Sequence, residues 1–358
     1  MSFQFKVLRA EHGDCIIISG IFENVARNIL IDGGPSKTFK SGSIKGELLK
    51  ELEVIRNLGQ KVDLLILTHI DDDHIGGLLK GFKDNEILAE LTKKVWFNSG
   101  SLIKSELNLE MEGQFLTQLE SEVEAGQAGF TSVRQGVSFE EKIDRLMVWH
   151  KQLIKAPDTK ELFGIKFTLL SPTTPKLEAL LNKWNREEPS SLTGSSQGDY
   201  DKTLADLLSS TDTFEEDDSV HNGSSIAFIL EYVGKKVLFL GDAHNEVIVS
   251  QLTELGYSSE NPLQVDFVKL SHHGSKYNTS NELLGMLDCK QFIVSSNTNR
   301  FKLPNKVTLM RIIKNKPHCT IFFNYPEIIR QKIFDHDEIS LIESFGVSLE
   351  SCEYPFEL

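Results

Sequence analysis

A cluster of potential metal ligands occupies residues 69–74, where the chain reads HIDDDH. Two imidazoles, His69 and His74, flank two alternate carboxylates, Asp71 and Asp73. A tight loop can aim side chains 69, 71 and 73 toward one side, and His74 adds an adjacent donor. Imidazole suits zinc, whereas carboxylate oxygen suits manganese, magnesium or zinc. The spacing therefore predicts ligands for one or two divalent ions, Zn or Mn, although a solvated acidic turn would have the same composition.

Two further groups of this kind follow apolar runs. Asp242 comes after the run 237–241, and His272 and His273 come after the run 265–270. Asp242 can bridge two cations, or it can cap the helix that follows. One histidine of the pair can coordinate metal while the other donates to substrate or protonates a leaving group. A polar turn without chemistry is the alternative for this pair.

Four residues are weaker candidates for metal or substrate contacts. Asp32 precedes two glycines and can equally shape a turn. His221 can be a further metal ligand, and Asn222 can touch substrate. Lys276 can pair with an anionic oxygen, although a solvated lysine is the commoner outcome. His244 is expected on the surface of a helix rather than in the site.

The elements that must position these residues are short strands followed by helices. Residues 62–67 are apolar enough for a strand covered on both faces, and this strand ends where the cluster begins. Asp242 and the His272–His273 pair also stand at the C-terminal ends of strands, and such ends can converge on one edge of a packed sheet. The pattern predicts an α/β fold of αββα type, with two mixed β-sheets packed face to face and covered outside by helices. A single domain over residues 1–358 is expected.

The composition sets limits on the class of protein. The 358 residues include 38 Lys and Arg and 52 Asp and Glu, for a net charge of −14, which argues against general electrostatic affinity for nucleic acid. No apolar run approaches the ~20 residues of a membrane helix. The N-terminus lacks the apolar region of a secretory signal, and the four scattered cysteines form no CxxC pair. A cytoplasmic protein without a membrane partner is expected, and no Walker, HExxH or GxSxG motif is present.

Two segments are expected to be insertions. Residues 100–160 are predicted to be largely helical and acidic, with a capping box at 138–141 before one helix. Residues 186–222 are polar and include the acidic run 215–218, which predicts a mobile loop rather than a packed element. Both acidic segments are candidate surfaces for a protein partner.

The order of these motifs resembles the metallo-β-lactamase fold superfamily, whose metal loop reads H-x-H-x-D-H. The variant H-x-D-x-D-H is similar to the branch that contains the C-terminal domain of the DNA-uptake protein ComEC. The T-H-x-D-x-D-H-x-G-G of that branch matches residues 68–77, and its H-H-G-S-K matches residues 272–276. Five shorter motifs of that branch also occur in this chain in the same order, at Gly13, Asp32, Leu170, Asn222 and Gly241. The similarity spans roughly residues 5–325.

The resemblance implies a metal-dependent hydrolase acting on a phosphodiester bond, hence a nuclease or phosphodiesterase with a nucleic acid or nucleotide substrate. Divalent ions would lower the pKa of a bound water. Asp73 would orient that water, Asp242 would bridge the ions, and His273 would help to stabilise the developing charge. The remaining metal ligands would be His69, Asp71, His74 and His272.

Three other functions stay open at this point. The branch commonly has an H-P pair near its end, where this chain has Leu303-Pro304, and the isolated third histidine of the superfamily has His221 as its only candidate. A catalytically weak interaction or regulatory module is therefore one alternative, and a hydrolase of a small ester or lactone is another. A di-iron oxidoreductase is a third, but it usually requires glutamate at the position of Asp71.

Overall fold

Two mixed β-sheets of six and eight strands form the centre of the computed structural model, which describes residues 3–83, 87–108, 132–186, 198–352 and 355–358. The strands are β1 (Phe3–Val7), β2 (Ile16–Phe22), β3 (Val25–Ile31), β4 (Lys40–Ser41), β5 (Ile44–Lys45), β6 (Val62–Ile66), β7 (Val95–Trp96), β8 (Asp158–Leu162), β9 (Ile165–Ser171), β10 (Ala227–Tyr232), β11 (Lys235–Phe239), β12 (Leu263–Gln264), β13 (Phe267–Lys269), β14 (Leu287–Asp288), β15 (Gln291–Val294), β16 (Thr320–Phe323), β17 (Ser348–Ser351) and β18 (Phe356–Glu357).

The strand order explains why loops distant in sequence meet. It is β18-β1-β2-β3-β6-β7 in the first sheet and β17-β16-β15-β13-β11-β10-β9-β8 in the second. The neighbours β3, β6 and β7 run parallel, as do β11, β13 and β15. Parallel neighbours end at the same edge, so the loops after β6, β11 and β13 all leave from carboxyl ends of strands.

Helices cover the outer faces of both sheets. They are α1 (Ser36–Phe39), α2 (Glu47–Asn57), α3 (Asp72–Lys83), α4 (Ile87–Leu91), α5 (Gly100–Leu107), α6 (Ser132–Arg145), α7 (Thr174–Arg186), α8 (Leu204–Ser209), α9 (Val220–Gly223), α10 (Asn245–Glu254), α11 (Asn281–Gly285), α12 (Lys306–Asn315) and α13 (His336–Ser344). A 3-10 turn spans Ser271–Gly274, and a π-helical turn spans Ile329–Ile333. Within the described residues, no helix has the length and apolar character needed to cross a bilayer.

Three apolar layers hold this arrangement together. The central layer lies between the sheets, where Phe5 and Ile66 of the first sheet join Phe228 and Phe239 of the second. One outer layer packs α2, α3 and α6 on the first sheet, and the other packs α10, α11 and α12 on the second. Burying a side chain of this size contributes about 1.5–3 kcal/mol. The predicted αββα fold with two mixed sheets is confirmed.

The segment 100–160 differs from the sequence-based expectation at two points. Residues 109–131 lie outside the described ranges, and α5 and α6 on either side are helical as predicted. The predicted capping box at Ser138 is wrong, because α6 already begins at Ser132 and its apolar face buries Val133, Phe139 and Ile143. The prediction of helix up to residue 160 is also wrong, because β8 pairs antiparallel with β9 at the edge of the second sheet.

The segment 186–222 is more ordered than its composition predicts. Residues 187–197 lie outside the described ranges, but α8 packs Leu204 and Leu207 into the outer layer of the second sheet. The prediction of an unpacked loop is therefore wrong for residues 198–222. Two of its acidic residues make internal contacts that a count of charges cannot reveal. Asp199 accepts hydrogen bonds from the backbone nitrogens of Lys306 and Val307, and Asp212 pairs with Arg311 at 2.8 Å.

Candidate metal centre

The metal loop, residues 69–74, is held from behind by the turn that follows β3. Thr68 donates from its backbone nitrogen and its hydroxyl to the two carboxylate oxygens of Asp32, at 2.8 and 2.7 Å. The backbone nitrogen of Gly33 donates to the carbonyl of His74 at 2.8 Å, and that of Gly77 donates to the carbonyl of Gly34 at 2.7 Å. The first turn of α3 is thereby fixed against β3, so the side chains of the loop have defined directions.

Asp242 occupies the middle of the cluster. Gly241 before it has a φ of 49°, a conformation that a side chain would disfavour, and the backbone nitrogen of Asp242 donates to Ser225 at 3.0 Å. Four histidine Nε2 atoms lie within 4 Å of its carboxylate oxygens. The distances are 3.4 Å to His74, 3.8 Å to His69 and His273, and 3.9 Å to His272.

Two other carboxylates of the loop face these imidazoles. Asp71 Oδ2 lies 3.8 Å from His69 Nε2, and Asp73 Oδ2 lies 3.5 Å from His273 Nε2. Donors ~2.0–2.2 Å from one tetrahedral ion stand about 3.3–3.6 Å apart, so these separations are close to those of shared ligands. Three sets of three residues have ligand atoms within 4.8 Å of one another, namely His69 with His74 and Asp242, Asp73 with His74 and His273, and Asp14 with Asp32 and His74.

Unpaired buried atoms show that the residues fit a cation. The Nε2 atoms of His69, His74, His221 and His273 and Oδ1 of Asp242 are inaccessible to water and have no hydrogen-bond partner among the described residues. An unpaired polar atom in the interior costs about 1–3 kcal/mol, and native proteins rarely leave several together. A divalent ion would satisfy them, because neutral imidazole and carboxylate are its ordinary ligands.

The opposite ring nitrogens are occupied, which orients each Nε2 inward. His74 Nδ1 contacts Asp32 Oδ2 at 2.7 Å, and His221 Nδ1 contacts Asp71 Oδ1 at 2.6 Å. His273 Nδ1 donates to the carbonyl of Ser295 at 3.0 Å. Such outer contacts fix the tautomer of a ligating histidine. Asp32 therefore acts behind His74 rather than beside the inward-facing atoms.

His272 differs from His273 in its surroundings. Its side chain is 17% exposed, against 1% for His273. Its Nδ1 lies 3.3 Å from Asp217 Oδ2 and 3.1 Å from Asn278 Oδ1. The same Asp217 oxygen accepts hydrogen bonds from Asn222 at 2.7 Å and from Asn278 at 3.0 Å. His272 is thus held by polar partners on the open side of the cluster, while His273 is enclosed with Asp73.

The remaining candidates lie apart from the inward-facing atoms. The ammonium of Lys276 lies 4.9 Å from the centre of the Tyr277 ring. The Asn222 side chain contacts Asp217 and His272 rather than Asp242. The expectation that His244 is a surface residue is wrong, because it is buried and its Nε2 contacts the carbonyl of Ser219 at 2.8 Å.

Two carboxylates near the cluster carried little signal in the sequence. Asp14 pairs with the buried Lys269 and lies 3.3 Å from His273 Nδ1. Asp217 belongs to the run 215–218, which has the composition of a solvated segment. Only Asp14 could have been suspected, because the Gly13-Asp14 pair precedes a strand.

The electrostatics of the site depend on this crowding. Burial opposes ionisation of Asp242, but the imidazoles of His74, His273 and His272 outweigh it and hold the pKa of its carboxyl well below the ordinary value. Burial likewise opposes a charged His74, but Asp242 and Asp32 raise the pKa of His74 well above the ordinary value. Burial and the nearby His74 lower the pKa of His69. Without a metal, the site therefore keeps a proton on His74 at neutral pH.

We expect metal binding to release protons at pH 7. Ligation needs the lone pair of His74, so an incoming cation must displace the proton that Asp242 and Asp32 hold there. Affinity should therefore increase with pH until the raised pKa of His74 is passed, and level off above it. Calorimetric titration with Zn²⁺ in buffers of different ionisation enthalpy should show about one proton or more released per ion. A heat independent of the buffer would contradict this protonation state.

Comparison with known proteins adds a family match at this loop. Residues 12–90 match the family model described as the Metallo-beta-lactamase superfamily, a range that includes Asp32 and residues 69–74. No curated protein matches the chain.

Several solved structures are similar to this chain. CmlA, described as a diiron beta-hydroxylase from Streptomyces venezuelae, is 12% identical with a TM-score of 0.44, covering 100% of this chain and 54% of its own. Zn²⁺-bound PqqB from Methylobacterium extorquens is 12% identical with a TM-score of 0.43, covering 100% and 99%. The metallo-beta-lactamase fold protein YhfI from Bacillus subtilis is 9% identical with a TM-score of 0.40, covering 100% of both chains. This chain spans about half the length of CmlA.

Proposed function

We propose that the protein is a metal-dependent hydrolase of phosphodiester bonds, a nuclease or phosphodiesterase. The observation that carries the proposal is the convergence of buried, unpaired imidazole nitrogens on the carboxylate of Asp242. A divalent ion bound there supplies Lewis acidity and lowers the pKa of the attacking water to about 7. The match of residues 12–90 to the metallo-beta-lactamase superfamily supports the metal-dependent part of the proposal.

The donor set favours phosphorus as the electrophile. Three carboxylates, Asp71, Asp73 and Asp242, accompany the histidines, and oxygen-rich sites suit the ions that commonly act on phosphoryl oxygens. The loop variant with Asp71 and the 272–276 motif point the same way through their resemblance to the ComEC-like branch.

The two sides of Asp242 would hold separate ions. His69, Asp71 and His221 would serve one side, since His221 is joined to Asp71 at 2.6 Å. Asp73, His74 and His273 would serve the other, and Asp242 would lie between them. In this arrangement His273 is a metal ligand and His272 is not. The sequence analysis assigned charge stabilisation to His273 and metal ligation to His272.

Asp73 and His272 are suited to the two proton transfers. Burial opposes ionisation of Asp73, but the imidazole of His273, 3.5 Å away, and the charge of His74 keep the pKa of Asp73 low. Its carboxylate can therefore accept the hydrogen bond and then the proton of the attacking water. As the new P–O bond forms, the bond to the leaving oxygen breaks, and His272 Nε2 gives its proton to that oxygen.

Asp217 positions His272 for this role. Burial lowers the pKa of His272, but the carboxylates of Asp242 and Asp217 outweigh it and raise the pKa to about 9. A cation bound by Asp242 would cancel much of that residue's influence, which leaves Asp217 as the group that keeps the imidazole protonated and oriented.

We expect the Asp217→Asn variant to lose about tenfold in kcat, because a positioned general acid contributes roughly 10²–10⁴-fold and this change weakens it without removing it. The alkaline limb of the kcat profile should move to lower pH, because the pKa of His272 falls when the carboxylate is lost. The exposed neighbour provides a matched control, and Asp218→Asn should leave both kcat and the profile unchanged. An unshifted profile in Asp217→Asn would remove Asp217 from this role.

Three chromogenic substrates test the proposed function. The protein loaded with Mn²⁺ or Zn²⁺ is expected to hydrolyse bis-p-nitrophenyl phosphate, and to act more slowly on p-nitrophenyl phosphate and p-nitrophenyl acetate. Activity should disappear in Asp73→Ala and after chelation. Preferred hydrolysis of the acetate would assign the site to esters or lactones, and metal-loaded protein without any turnover would favour an interaction module.

A further inference from the structure

A cationic groove begins beside the metal loop and runs between α3 and α6. It encloses about 950 Å³. Its lining carries four cationic side chains and two carboxylates, in a chain whose net charge is −14. The cations are Lys80, Lys83, Lys142 and Arg145, and the carboxylates are Asp72 and Glu141.

The two helices that form the groove run parallel, and both start at the metal loop. Ser132 donates to Asp71 at 2.9 Å and Gln135 donates to Asp72 at 2.7 Å, so the first turns of the helices lie side by side. Farther along, the rings of Phe82 and Phe139 contact each other with centres 5.7 Å apart. The groove therefore leads away from the cluster along the axis of α3.

The cations stand together at the far end of the groove. Lys80 and Lys83 lie in the last turn of α3, and Lys142 and Arg145 lie in the last turn of α6. Basic residues in a last turn complement the helix dipole, but this does not require both helices to present them to one groove. Among the described residues, no carboxylate forms an ion pair with Lys80, Lys83 or Arg145. The carboxylate of Asp72, at the end of the groove beside the metal loop, accepts a hydrogen bond from Gln135.

We propose that this groove holds the phosphate backbone of single-stranded nucleic acid whose scissile bond lies at the metal centre. The inference rests on the proposed function and names its substrate class. Lys80 and Lys83 stand about 12–17 Å along α3 from Asp72, at ~1.5 Å per residue, a distance that a few nucleotides of an extended single strand would span. Helices in direct contact are about 8–10 Å apart, so the groove between them suits one strand rather than a duplex.

The contacts in this groove would be electrostatic and insensitive to sequence. Phe82 and Phe139 are buried against each other, so they offer no exposed face on which a base could stack. Recognition would rest on phosphate contacts, which depend strongly on salt. The negative charge of the whole chain does not oppose this, because exposed charges beyond about 8–10 Å are largely screened at physiological ionic strength.

The test is a double charge reversal at the two exposed cations, Lys83→Glu with Arg145→Glu. Lys290→Glu with Lys314→Glu is the matched control, because these lysines are also exposed and the net charge changes equally. The probe is a labelled phosphorothioate oligonucleotide of about 12 thymidines, which is long enough to reach from the metal centre past the cations and resists cleavage. Binding to the metal-loaded protein is followed by fluorescence anisotropy over a range of salt concentrations.

The groove variant is expected to bind the oligonucleotide about tenfold or more weakly, with a salt slope smaller by about 1.4 for two lost phosphate contacts on a single strand. The control variant should stay within about twofold. Hydrolysis of bis-p-nitrophenyl phosphate should be unchanged in both, because that substrate is too short to reach the cations.

The inference would be overturned by equal weakening in both double variants or by no weakening in either. Displacement of the oligonucleotide by polyglutamate at equal concentration would also overturn it and would assign the groove to acidic peptides. Tighter binding of a duplex of the same length would also contradict it. Failure of the proposed function is seen separately, since it appears as absent diester turnover while oligonucleotide binding is measured without catalysis.

Discussion

The Asp242→Asn variant is expected to lose metal and turnover together, while keeping its fold. The carboxylate is 2% exposed and lies within 4 Å of four histidine Nε2 atoms, so both proposed groups of metal ligands would share this residue. Asparagine has the same shape but no charge, so the proposed cations would lose their common counter-ion. A catalytic metal contributes several kcal/mol to transition-state stabilisation, and a loss of about 4 kcal/mol corresponds to roughly 10³-fold in rate.

The measurement separates binding from catalysis. Zn²⁺ should raise the melting temperature of the unmodified protein through mass action and leave that of Asp242→Asn unchanged. The affinity for Zn²⁺, determined from the metal content after dialysis, should fall at least about 100-fold. This is more than the loss typical when a residue that only contacts a ligating side chain is replaced. Asp266→Asn is the control, because Asp266 precedes β13 at the other end of this sheet and contacts Lys235 and Lys236. An Asp242→Asn protein that keeps its full metal content would refute the bridging position.

Gly77→Ala is expected to destabilise the protein by about 3 kcal/mol or more and to disable the site. A methyl group at this position would lie 2.0 Å from the carbonyl oxygen of Gly33, and backbone cannot swing aside as a flexible side chain can. The helix α3 would have to move off the turn after β3. That movement breaks the hydrogen bond from Gly77 to Gly34 and shifts His74 relative to Asp32. Overpacking of this kind costs typically 1–3 kcal/mol, and the lost contacts add to it.

Gly285→Ala is the matched control for this substitution. Gly285 ends the short helix α11, and its nearest neighbour for an added methyl is Ser259 Cβ at 3.9 Å. Alanine there should be neutral or stabilise by up to about 1 kcal/mol, because it is the better helix former. Chemical denaturation of both variants gives the comparison. Equal stabilities would mean that the close approach of α3 and the Gly33 turn is not required.

The layered fold could be predicted from the sequence because its signals are local. Residues 62–67 are apolar except for Asp63, and such runs followed by polar turns and helices indicate parallel strands with covered faces. The segments 138–160 and 198–222 misled the prediction for a different reason. Their composition is polar, but a few apolar or charged side chains, such as Phe139, Leu204 and Asp212, find partners far away in the chain.

The candidate site, like the fold, could be predicted from the sequence only in part. The residue types of the metal loop and the strand-end positions of Asp242 and the histidine pair are visible in the sequence. The different surroundings of the His272 and His273 rings are not visible there. They depend on the backbone of these two residues, whose φ angles of 45° and 54° direct the rings to different sides. Asp217 could not be singled out either, since only folding reveals which carboxylate of an acidic run faces an imidazole.

The buried pair of Lys269 and Asp14 constrains how this chain can change. Asp14 lies in the loop before β2 of the first sheet, Lys269 ends β13 of the second sheet, and the two contact each other where neither is exposed. Loss of one partner leaves a lone charge in the interior, at a cost of about 3–5 kcal/mol, whereas exchange of both for apolar residues of similar volume is often tolerated. In a saturation library selected for folding, single changes at either position should be depleted while matched double changes survive. Replacement of the charged pair by an apolar pair would therefore have to pass through a destabilised single variant.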